Sequence, residues 1–193
     1  MADQQQSRGR LYVISAPSGA GKTSLTHALI KRLRSREHCI RFSISYTTRQ
    51  PRPGERDGVD YHFVSEARFE EMIAADEFLE HARVFERYYG TARLATEQWL
   101  AQGCDVMLDI DWQGARQVRR HAADAVLIFI QPPSLDELAR RLRARGSEDE
   151  ASVLRRLREA EAEMQHAKEY DHQVTNDCFA EALAAIVAIF DGS

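Results

Sequence analysis

Short, continuous apolar runs alternate with longer stretches of helical periodicity along the 193 residues of the chain. The runs predict strands at residues 11–14, 106–108 and 125–130, and residues 172–175 are a candidate for a further short strand. The periodic stretches predict helices at residues 23–33, 114–120, 134–145, 148–169 and 181–190. Leu135, Leu138 and Leu142 form the stripe of the third helix, and Ser134 with Glu137 has capping-box spacing. Because strands that are apolar throughout are buried on both faces, the alternation predicts an α/β fold with a parallel sheet covered by helices.

One segment, residues 45–93, breaks this rhythm. It is polar and interrupted by Pro51, Pro53, Gly54 and Gly58. We interpret it as an inserted small lobe of mixed α/β structure, with short antiparallel strands and one helix. The strand is expected at 61–64 and the helix near 67–75. The predicted division is a flexible N-terminal tail at 1–10, a core domain at 11–44 and 94–193, and the inserted lobe at 45–93.

Composition then narrows the functional classes. Apolar residues make up 44% and charged residues 29% of the chain, as in globular proteins, and the formal net charge of -4 argues against binding DNA or RNA. No stretch is apolar and long enough to span a membrane, and the polar first ten residues lack the apolar segment of a secretory signal. Cys39, Cys104 and Cys178 form no CxxC pair, which predicts buried free thiols in a reducing compartment and no disulfide. We therefore expect a cytoplasmic location.

A glycine-rich loop between the first strand and the first helix carries the strongest chemical signal. It comprises Ala16, Pro17, Ser18, Gly19, Ala20, Gly21, Lys22 and Thr23. In such a loop, successive N–H groups bind phosphate oxygens and the helix N-terminus adds a favourable dipole. The lysine reaches the β- and γ-phosphates of ATP, and the threonine hydroxyl can ligate Mg²⁺. The pattern predicts a P-loop NTPase-type sheet, although Ala16 stands where a glycine is usual.

Two further features gain meaning beside this loop. Asp109 ends a buried strand, where it would face the same crevice, and it is a candidate to hold Mg²⁺ through water. Arg49 and Arg52 lie in a proline-stiffened loop, and a guanidinium can bond two phosphate oxygens at once. Taken alone, Asp109 fits a strand-ending turn better, and the arginines fit a solvated loop equally well.

Seven motifs, in order along the chain, together resemble the guanylate kinase family, and the resemblance runs from about residue 11 to residue 190. They are APSGAGKT, SYTTRQPRPGE, DYHFV, EFLEHA, YYGT, LDIDWQGA and RLRARG. The resemblance implies transfer of the γ-phosphoryl group of ATP to GMP, giving ADP and GDP. It also implies a P-loop core, an inserted GMP-binding lobe and a helical lid at about 140–158.

The resemblance further implies roles for individual residues. The phosphate of GMP would be held by Arg49, Arg52, Tyr61 and Tyr89, and guanine would be read by Ser45, Glu80, Thr91 and Asp111. Gly90 would be a close-approach position, and the GMP-binding set is completed by Glu55 and Asp109. On the ATP side, the resemblance implies lid arginines at Arg141 and Arg145, a third arginine at Arg156 and an adenine-side contact at Asn176. The implied catalytic residues are Lys22, Arg49, Arg141, Arg145 and Arg156.

The chemistry of guanine agrees with these roles. Its N1–H and N2–H₂ donors complement a carboxylate such as Glu80, and its O6 acceptor complements a hydroxyl such as Ser45. The phosphate of GMP has a second pKa of roughly 6, so the attacking oxygen needs no general base. Phosphate contacts do not sense the 2′-hydroxyl, so we expect dGMP to be accepted as well, although more slowly than GMP. In isolation, Glu80 would fit an ordinary helix-face carboxylate, and Tyr61 and Tyr89 would fit core residues with one wet edge.

Three other functions are alternatives that the sequence argues against. A related kinase could act on another phosphorylated acceptor, such as a ribose bisphosphate, but Glu80 and the YYGT motif argue against it. Guanylate kinase-like domains of scaffold proteins bind peptides without catalysis, and intact Lys22 and Thr23 argue against that function. A switch GTPase needs an Asn-Lys-x-Asp run, which the sequence lacks. The substrates expected are therefore ATP and GMP or dGMP, and the sequence leaves the oligomeric state undetermined.

Overall fold

Strands and helices alternate in the computed structural model, which describes residues 8–84, 86–144 and 149–192. The strands are β1 (Leu11–Ser15), β2 (Ile40–Phe42), β3 (Tyr46–Thr47), β4 (His62–Phe63), β5 (Phe78–Val84), β6 (Arg87–Ala92), β7 (Asp105–Asp109), β8 (Val126–Gln131) and β9 (His172–Thr175). The helices are α1 (Lys22–Arg34), α2 (Glu66–Ala74), α3 (Arg93–Ala101), α4 (Trp112–His121), α5 (Leu135–Ala144), α6 (Glu150–Met164) and α7 (Phe179–Asp191). A turn of 3₁₀-helix, Ala167–Glu169, follows α6.

The strands form two sheets. The larger has five strands in the order β2-β7-β1-β8-β9, and the smaller has four in the order β4-β3-β6-β5. In the larger sheet, β2 pairs parallel with β7 and β8 pairs parallel with β9. Val13, Ile14, Leu108 and Ile128 are fully buried on these strands, as strands covered by helices require. The predicted α/β class with a parallel sheet flanked by helices is confirmed.

The chain divides into two compact units. The first unit contains the described residues up to Val13 together with Cys39–Ala125, and the second contains Ile14–His38 with the described residues from Val126 onward. The smaller sheet belongs to the first unit and packs against α2 through Phe69, Met72 and Phe78. In the second unit, α5 and α6 bury Leu138, Leu142, Val153 and Ala160 together.

The strands and helices predicted outside residues 45–93 are present, with shifts at their ends. Ser134 caps α5 by accepting a hydrogen bond from the Glu137 N–H at 3.1 Å, which confirms the predicted helix start. The helix predicted at 148–169 is shorter, because Asp149 caps α6 through the Ser152 N–H and Gln165 ends it. Residues 145–148, within the predicted lid, lie outside the described residues.

The smaller sheet differs from the prediction in one pairing. We expected an antiparallel strand at 61–64, but β4 pairs parallel with β3, with Tyr46 opposite His62. The connection from Thr47 to His62 is long enough for the crossover that parallel neighbours need. The pairs β3–β6 and β5–β6 are antiparallel. All four strands lie within residues 45–93, while the division of the chain into a core and an inserted lobe remains a prediction.

The prediction about the cysteines is wrong. Cys39 and Cys104 form a disulfide, with Cα atoms 4.7 Å apart. Each comes directly before a strand, and the register of β2 and β7 pairs Ile40 with Asp105, so the two cysteines lie side by side. Their separation of 65 residues in sequence concealed this contact. Cys178 is a free thiol, but it is exposed and not buried.

The end of the predicted flexible tail is held by hydrogen bonds. The Gly9 N–H donates to the Leu100 carbonyl at 2.9 Å, and the Arg10 N–H donates to Asp105 Oδ1 at 2.7 Å. Residues 1–7 lie outside the described residues. Gly9 and Arg10 are therefore held by the fold, although they precede the strand that the apolar pattern marks.

Candidate active site

The glycine-rich loop connects β1 to α1 in the second unit. Gly19 and Gly21 have φ angles of 94° and 93°, in the left-handed region that favours glycine. The Ala20 N–H donates to the Pro17 carbonyl at 3.1 Å and closes the turn. Lys22 is the first residue of α1 and Thr23, which is exposed, is the second. The loop therefore opens a helix N-terminus, the arrangement that suits an anion.

Ala16 does not distort this loop. Among the described residues, the only non-glycine residues with positive φ are Glu37, Asp76 and Glu86. The position where a glycine is usual thus needs no left-handed backbone in this chain. Alanine is compatible with it.

Two neighbours support the loop from within the second unit. A Cβ atom at Gly19 would lie 2.8 Å from Leu138 Cδ1, so α5 packs directly on the loop. Asn176, only 6% exposed, donates from Nδ2 to the Ala20 carbonyl at 2.7 Å. A Cβ atom at Gly21 would lie 2.5 Å from the same Nδ2. Asn176, expected to contact adenine, therefore holds the backbone of the loop.

Of the arginines expected at the ATP phosphates, Arg141 lies on α5 and Arg156 on α6. Arg156 donates from Nη1 to Ser18 Oγ at 3.2 Å, which brings it to the loop. Arg141 donates from Nε to Glu137 Oε1 at 2.8 Å. Arg140 and Arg141 together hold the pKa of the Glu137 carboxyl down to about 2. Arg145 lies outside the described residues.

A second cluster, in the first unit, surrounds the guanidinium of Arg49. Its two Nη atoms donate to the two carboxylate oxygens of Glu55 at 2.9 and 2.8 Å. Its Cζ lies 5.2 Å from the ring centroid of Tyr61, and the rings of Tyr61 and Tyr89 are 6.0 Å apart. Hydrogen bonds from Arg49 and then from the Arg52 N–H lower the pKa of the Glu55 carboxyl. The structure thus brings together Arg49, Glu55, Tyr61 and Tyr89, while the side chain of Arg52 is exposed.

A third cluster, also in the first unit, contains the buried carboxyl of Glu80 on β5. The side chain is 4% exposed, and its Oε1 accepts from Thr91 Oγ1 at 2.6 Å. Burial and the nearby Asp111 carboxylate raise the pKa of Glu80 to about 7, although the Thr91 hydrogen bond opposes them. Asp111 caps α4 by accepting from the Gly114 N–H at 2.9 Å. Glu80, Thr91 and Asp111 therefore form one group.

The remaining expected GMP-binding residues are Ser45 before β3, Gly90 on β6 and Asp109 on β7. Ser45 is half-buried, and its carbonyl accepts from the His62 N–H at 2.9 Å. Asp109 is the half-buried last residue of β7. Gly90 lies on β6, where a Cβ atom would be 2.9 Å from Phe78 Cδ1. The close approach at Gly90 is to this aromatic ring.

Two residues of α4 next to Glu80 were not predicted from the sequence. A Cβ atom at Gly114 would overlap Glu80 Oε2, and Gln117 bonds the backbone of His81 through both ends of its carboxamide. Gly114 stands inside the LDIDWQGA motif, which was a usable signal. Nothing in the sequence pattern distinguishes Gln117 from a surface glutamine.

Two structural features bear on membranes and metals. Within residues 8–84, 86–144 and 149–192, no helix is both long enough and apolar enough to cross a membrane. The same residues contain no group of three or more His, Cys, Asp or Glu side chains that could hold a metal ion. Any metal here would need further ligands, such as substrate phosphates and water.

The parallel sheet, the loop at the start of α1 and the arginine on α6 define a P-loop phosphotransferase. The sequence matches the family model described as guanylate kinase over residues 8–192. The chain belongs to the guanylate kinase family, and it is a nucleoside monophosphate kinase.

Individual relatives agree with this assignment. A guanylate kinase of Chromohalobacter salexigens is 53% identical over 95% of this chain and 83% of its own length. One of Yersinia pestis is 54% identical over 94% of this chain and 87% of its own length. The crystal structure of guanylate kinase from Anaplasma phagocytophilum superimposes with a TM-score of 0.79 at 34% identity, covering 97% of this chain and 87% of that one.

Proposed function

We propose that this chain transfers the γ-phosphoryl group of ATP to GMP, and more slowly to dGMP, giving ADP and the nucleoside diphosphate. The observation that carries the proposal is that one unit contains both an arginine cluster at Arg49 and a buried carboxyl at Glu80. The first suits a phosphate and the second suits the donor edge of guanine. A sugar bisphosphate acceptor would offer the buried carboxyl no base donor.

On the donor side, the loop from Ala16 to Thr23 binds the phosphates of ATP. Its backbone N–H groups and the α1 N-terminus stabilise the negative charge, and Lys22 reaches the transferred phosphoryl group. Arg156 lies beside Ser18 and supplies positive charge. This charge stabilises the negative charge that spreads over the phosphoryl oxygens in the transition state. Arg141 and Arg145 act in the same way from the lid, and Asn176 contributes to ATP binding through the loop that it supports.

On the acceptor side, Arg49, Arg52, Tyr61 and Tyr89 hold the GMP phosphate. Glu55 orients Arg49 before GMP arrives, since it occupies both Nη atoms. Ionised Glu80 accepts from N1–H and N2–H₂ of guanine, and Ser45, Thr91 and Asp111 complete the pocket. The GMP phosphate is itself the nucleophile, so positioning and charge neutralisation carry the catalysis.

Mg²⁺ is the metal that fits the available oxygen donors. Thr23 offers an exposed hydroxyl and Asp109 a half-buried carboxylate, and Mg²⁺ takes few protein ligands beside phosphates and water. When bound, the ion neutralises charge on the β- and γ-phosphates.

We also propose a cytoplasmic site of action, on the basis of a composition that is ordinary for globular proteins and of nucleotide substrates that are made and used inside cells. The Cys39–Cys104 disulfide stands against this, because disulfides are rare in reducing compartments.

A Lys22→Met variant tests the proposal for the donor side. We expect kcat with GMP to fall by on the order of 10²–10³-fold, the cost of removing one group that stabilises transition-state charge. The control is Lys31→Met, which makes the same change at an exposed position of the same helix. Folded Lys22→Met protein with near-normal turnover would contradict the proposed role.

A further inference from the structure

The guanine-reading carboxyl lies on a strand that is irregular at that point. β5 is an edge strand of the smaller sheet, and its register against β6 shifts between Phe78 and Glu80. Such a bulge disrupts the ladder of hydrogen bonds locally and redirects the neighbouring side chains. The direction of the Glu80 side chain therefore needs support from outside the sheet.

Gln117 of α4 supplies that support at the open edge of β5. Its Nε2 donates to the His81 carbonyl at 2.7 Å, and its Oε1 accepts from the His81 N–H at 3.2 Å. A carboxamide that satisfies both backbone groups of one residue acts as the missing neighbouring strand would. Both peptide bonds of His81, one of which begins at Glu80, are held by the same side chain.

Gly114, three residues earlier on α4, meets the Glu80 side chain itself. A Cβ atom at this position would lie 3.0 Å from Glu80 Cδ and would overlap Oε2. The other carboxylate oxygen is already fixed by Thr91. The carboxylate thus sits between the Thr91 hydroxyl and the bare backbone of α4, one helical turn from Gln117.

We propose that Gln117 is a positioning residue for Glu80, and that Gln117 and Gly114 together make α4 a determinant of specificity for the guanine base. The inference rests on the proposed role of Glu80 in reading guanine. Gln117 fixes the backbone from which the carboxylate projects, and Gly114 leaves the space that its outer oxygen occupies.

The first test replaces Gln117 with methionine, which keeps the length of the side chain and removes both hydrogen bonds. We expect KM for GMP to rise about tenfold, the effect of losing one to two hydrogen bonds, while kcat at saturating GMP and KM for ATP change less than twofold. The preference for GMP over inosine monophosphate, which lacks the N2 amino group, should fall. Gln98→Met, at an exposed position of α3, is the matched control and should change none of these values.

Gly114→Ala provides an independent variant. Alanine is the better helix former, so destabilisation of α4 would not explain a defect. The added methyl group should displace the Glu80 carboxylate and raise KM for GMP by about tenfold or more, again with little effect on KM for ATP.

A double-mutant cycle separates this inference from the proposal beneath it. Gln117→Met is made in the wild type and in Glu80→Gln, where its effect on KM for GMP should disappear. The positioning role would be overturned if Gln117→Met raised KM for GMP equally in both backgrounds. It would also be overturned if the variant lowered kcat and raised KM for ATP as much as it raised KM for GMP. Either result would leave guanine reading by Glu80 intact. If Glu80→Gln alone leaves GMP kinetics unchanged, guanine reading by Glu80 fails, and the positioning role fails with it.

Discussion

At the scale of single residues, the protonation of Glu80 links the fold to substrate binding. Burial raises its pKa to about 7, and the Asp111 carboxylate adds to the effect. Guanine offers two donors to this group, which only the ionised form accepts without conflict. The residue thus titrates near neutral pH, and under its proposed role its charge decides how well GMP binds.

The KM for GMP should therefore depend on pH. As the pH falls through about 7, Glu80 takes up a proton, loses its acceptor capacity, and KM for GMP rises. Initial rates measured from about pH 6 to about pH 8.5 test this, a range that brackets the raised pKa. The GMP phosphate titrates with a pKa of roughly 6 in any variant, so Glu80→Gln provides the baseline. An identical pH profile in the variant would exclude Glu80 as the origin.

The same shift predicts how stability changes with pH without nucleotide. The pKa of Glu80 is raised from 4.5, so the folded chain holds the proton more tightly than the unfolded chain. That contribution is complete below the ordinary pKa and is lost as the pH rises through about 7. Relative to Glu80→Gln, the wild type should lose about 3 kcal/mol in free energy of unfolding across this range. Urea titrations at about pH 4.5, 6 and 8 measure the difference, and a constant difference would contradict the expectation.

For single residues, the sequence identifies which side chains belong to the site better than it identifies their hydrogen-bond partners. The family motifs mark Arg49, Glu55 and Glu80, but the Arg49–Glu55 pair appears only in the structure. Asn176 carries a family expectation of contact with adenine, while its observed hydrogen bond is to the loop carbonyl of Ala20. These pairings depend on the folded path of the chain, which spacing does not encode.

At the scale of elements, the disulfide is a covalent constraint within the first unit. Cys39 and Cys104 precede β2 and β7, and the chain between them contains the whole smaller sheet. The bond therefore closes a covalent ring of chain that includes the strands of Glu80 and Thr91 and the loop of Arg49. In the unfolded chain, the same ring restricts the conformations available.

Removing the disulfide should destabilise the chain. For a loop of this length, the chain-entropy argument gives about 4 kcal/mol of free energy of unfolding. Urea unfolding of Cys39→Ser and Cys104→Ser under oxidising conditions measures the loss. Cys178→Ser changes an exposed free thiol and should have no effect. If a reductant leaves the wild-type unfolding midpoint unchanged, the constraint is not stabilising.

The strands that are continuous apolar runs were predictable, whereas β5 and β6 were not. β1, β7 and β8 are continuous apolar runs, so their pattern admits few alternatives. β5 and β6 were missed because Glu80 interrupts one and Gly90 the other. The polar residues inside these two strands serve the site and not the core, so the apolar pattern does not mark them.

At the scale of the whole molecule, a chain of net charge -4 is expected to bind two anionic nucleotides. Local cations must supply the attraction, and they lie at Arg49 in the first unit and around the glycine-rich loop in the second. Family membership was predictable because seven motifs occur in order between Ala16 and Gly146. The partition into compact units was not, since Ala125 and Val126, within one predicted strand, fall in different units.

The central claim is that this enzyme phosphorylates GMP and selects it by its base. The most direct measurement is a coupled ADP-release assay with MgATP and GMP, dGMP, AMP, UMP, CMP or a ribose bisphosphate as acceptor. We predict fast turnover with GMP, slower turnover with dGMP, and a preference over AMP on the order of 10⁴-fold, because adenine lacks the N1–H and N2–H₂ donors that guanine offers to Glu80. Comparable turnover with AMP or with the ribose bisphosphate would contradict the guanine-reading role of Ser45, Glu80 and Asp111.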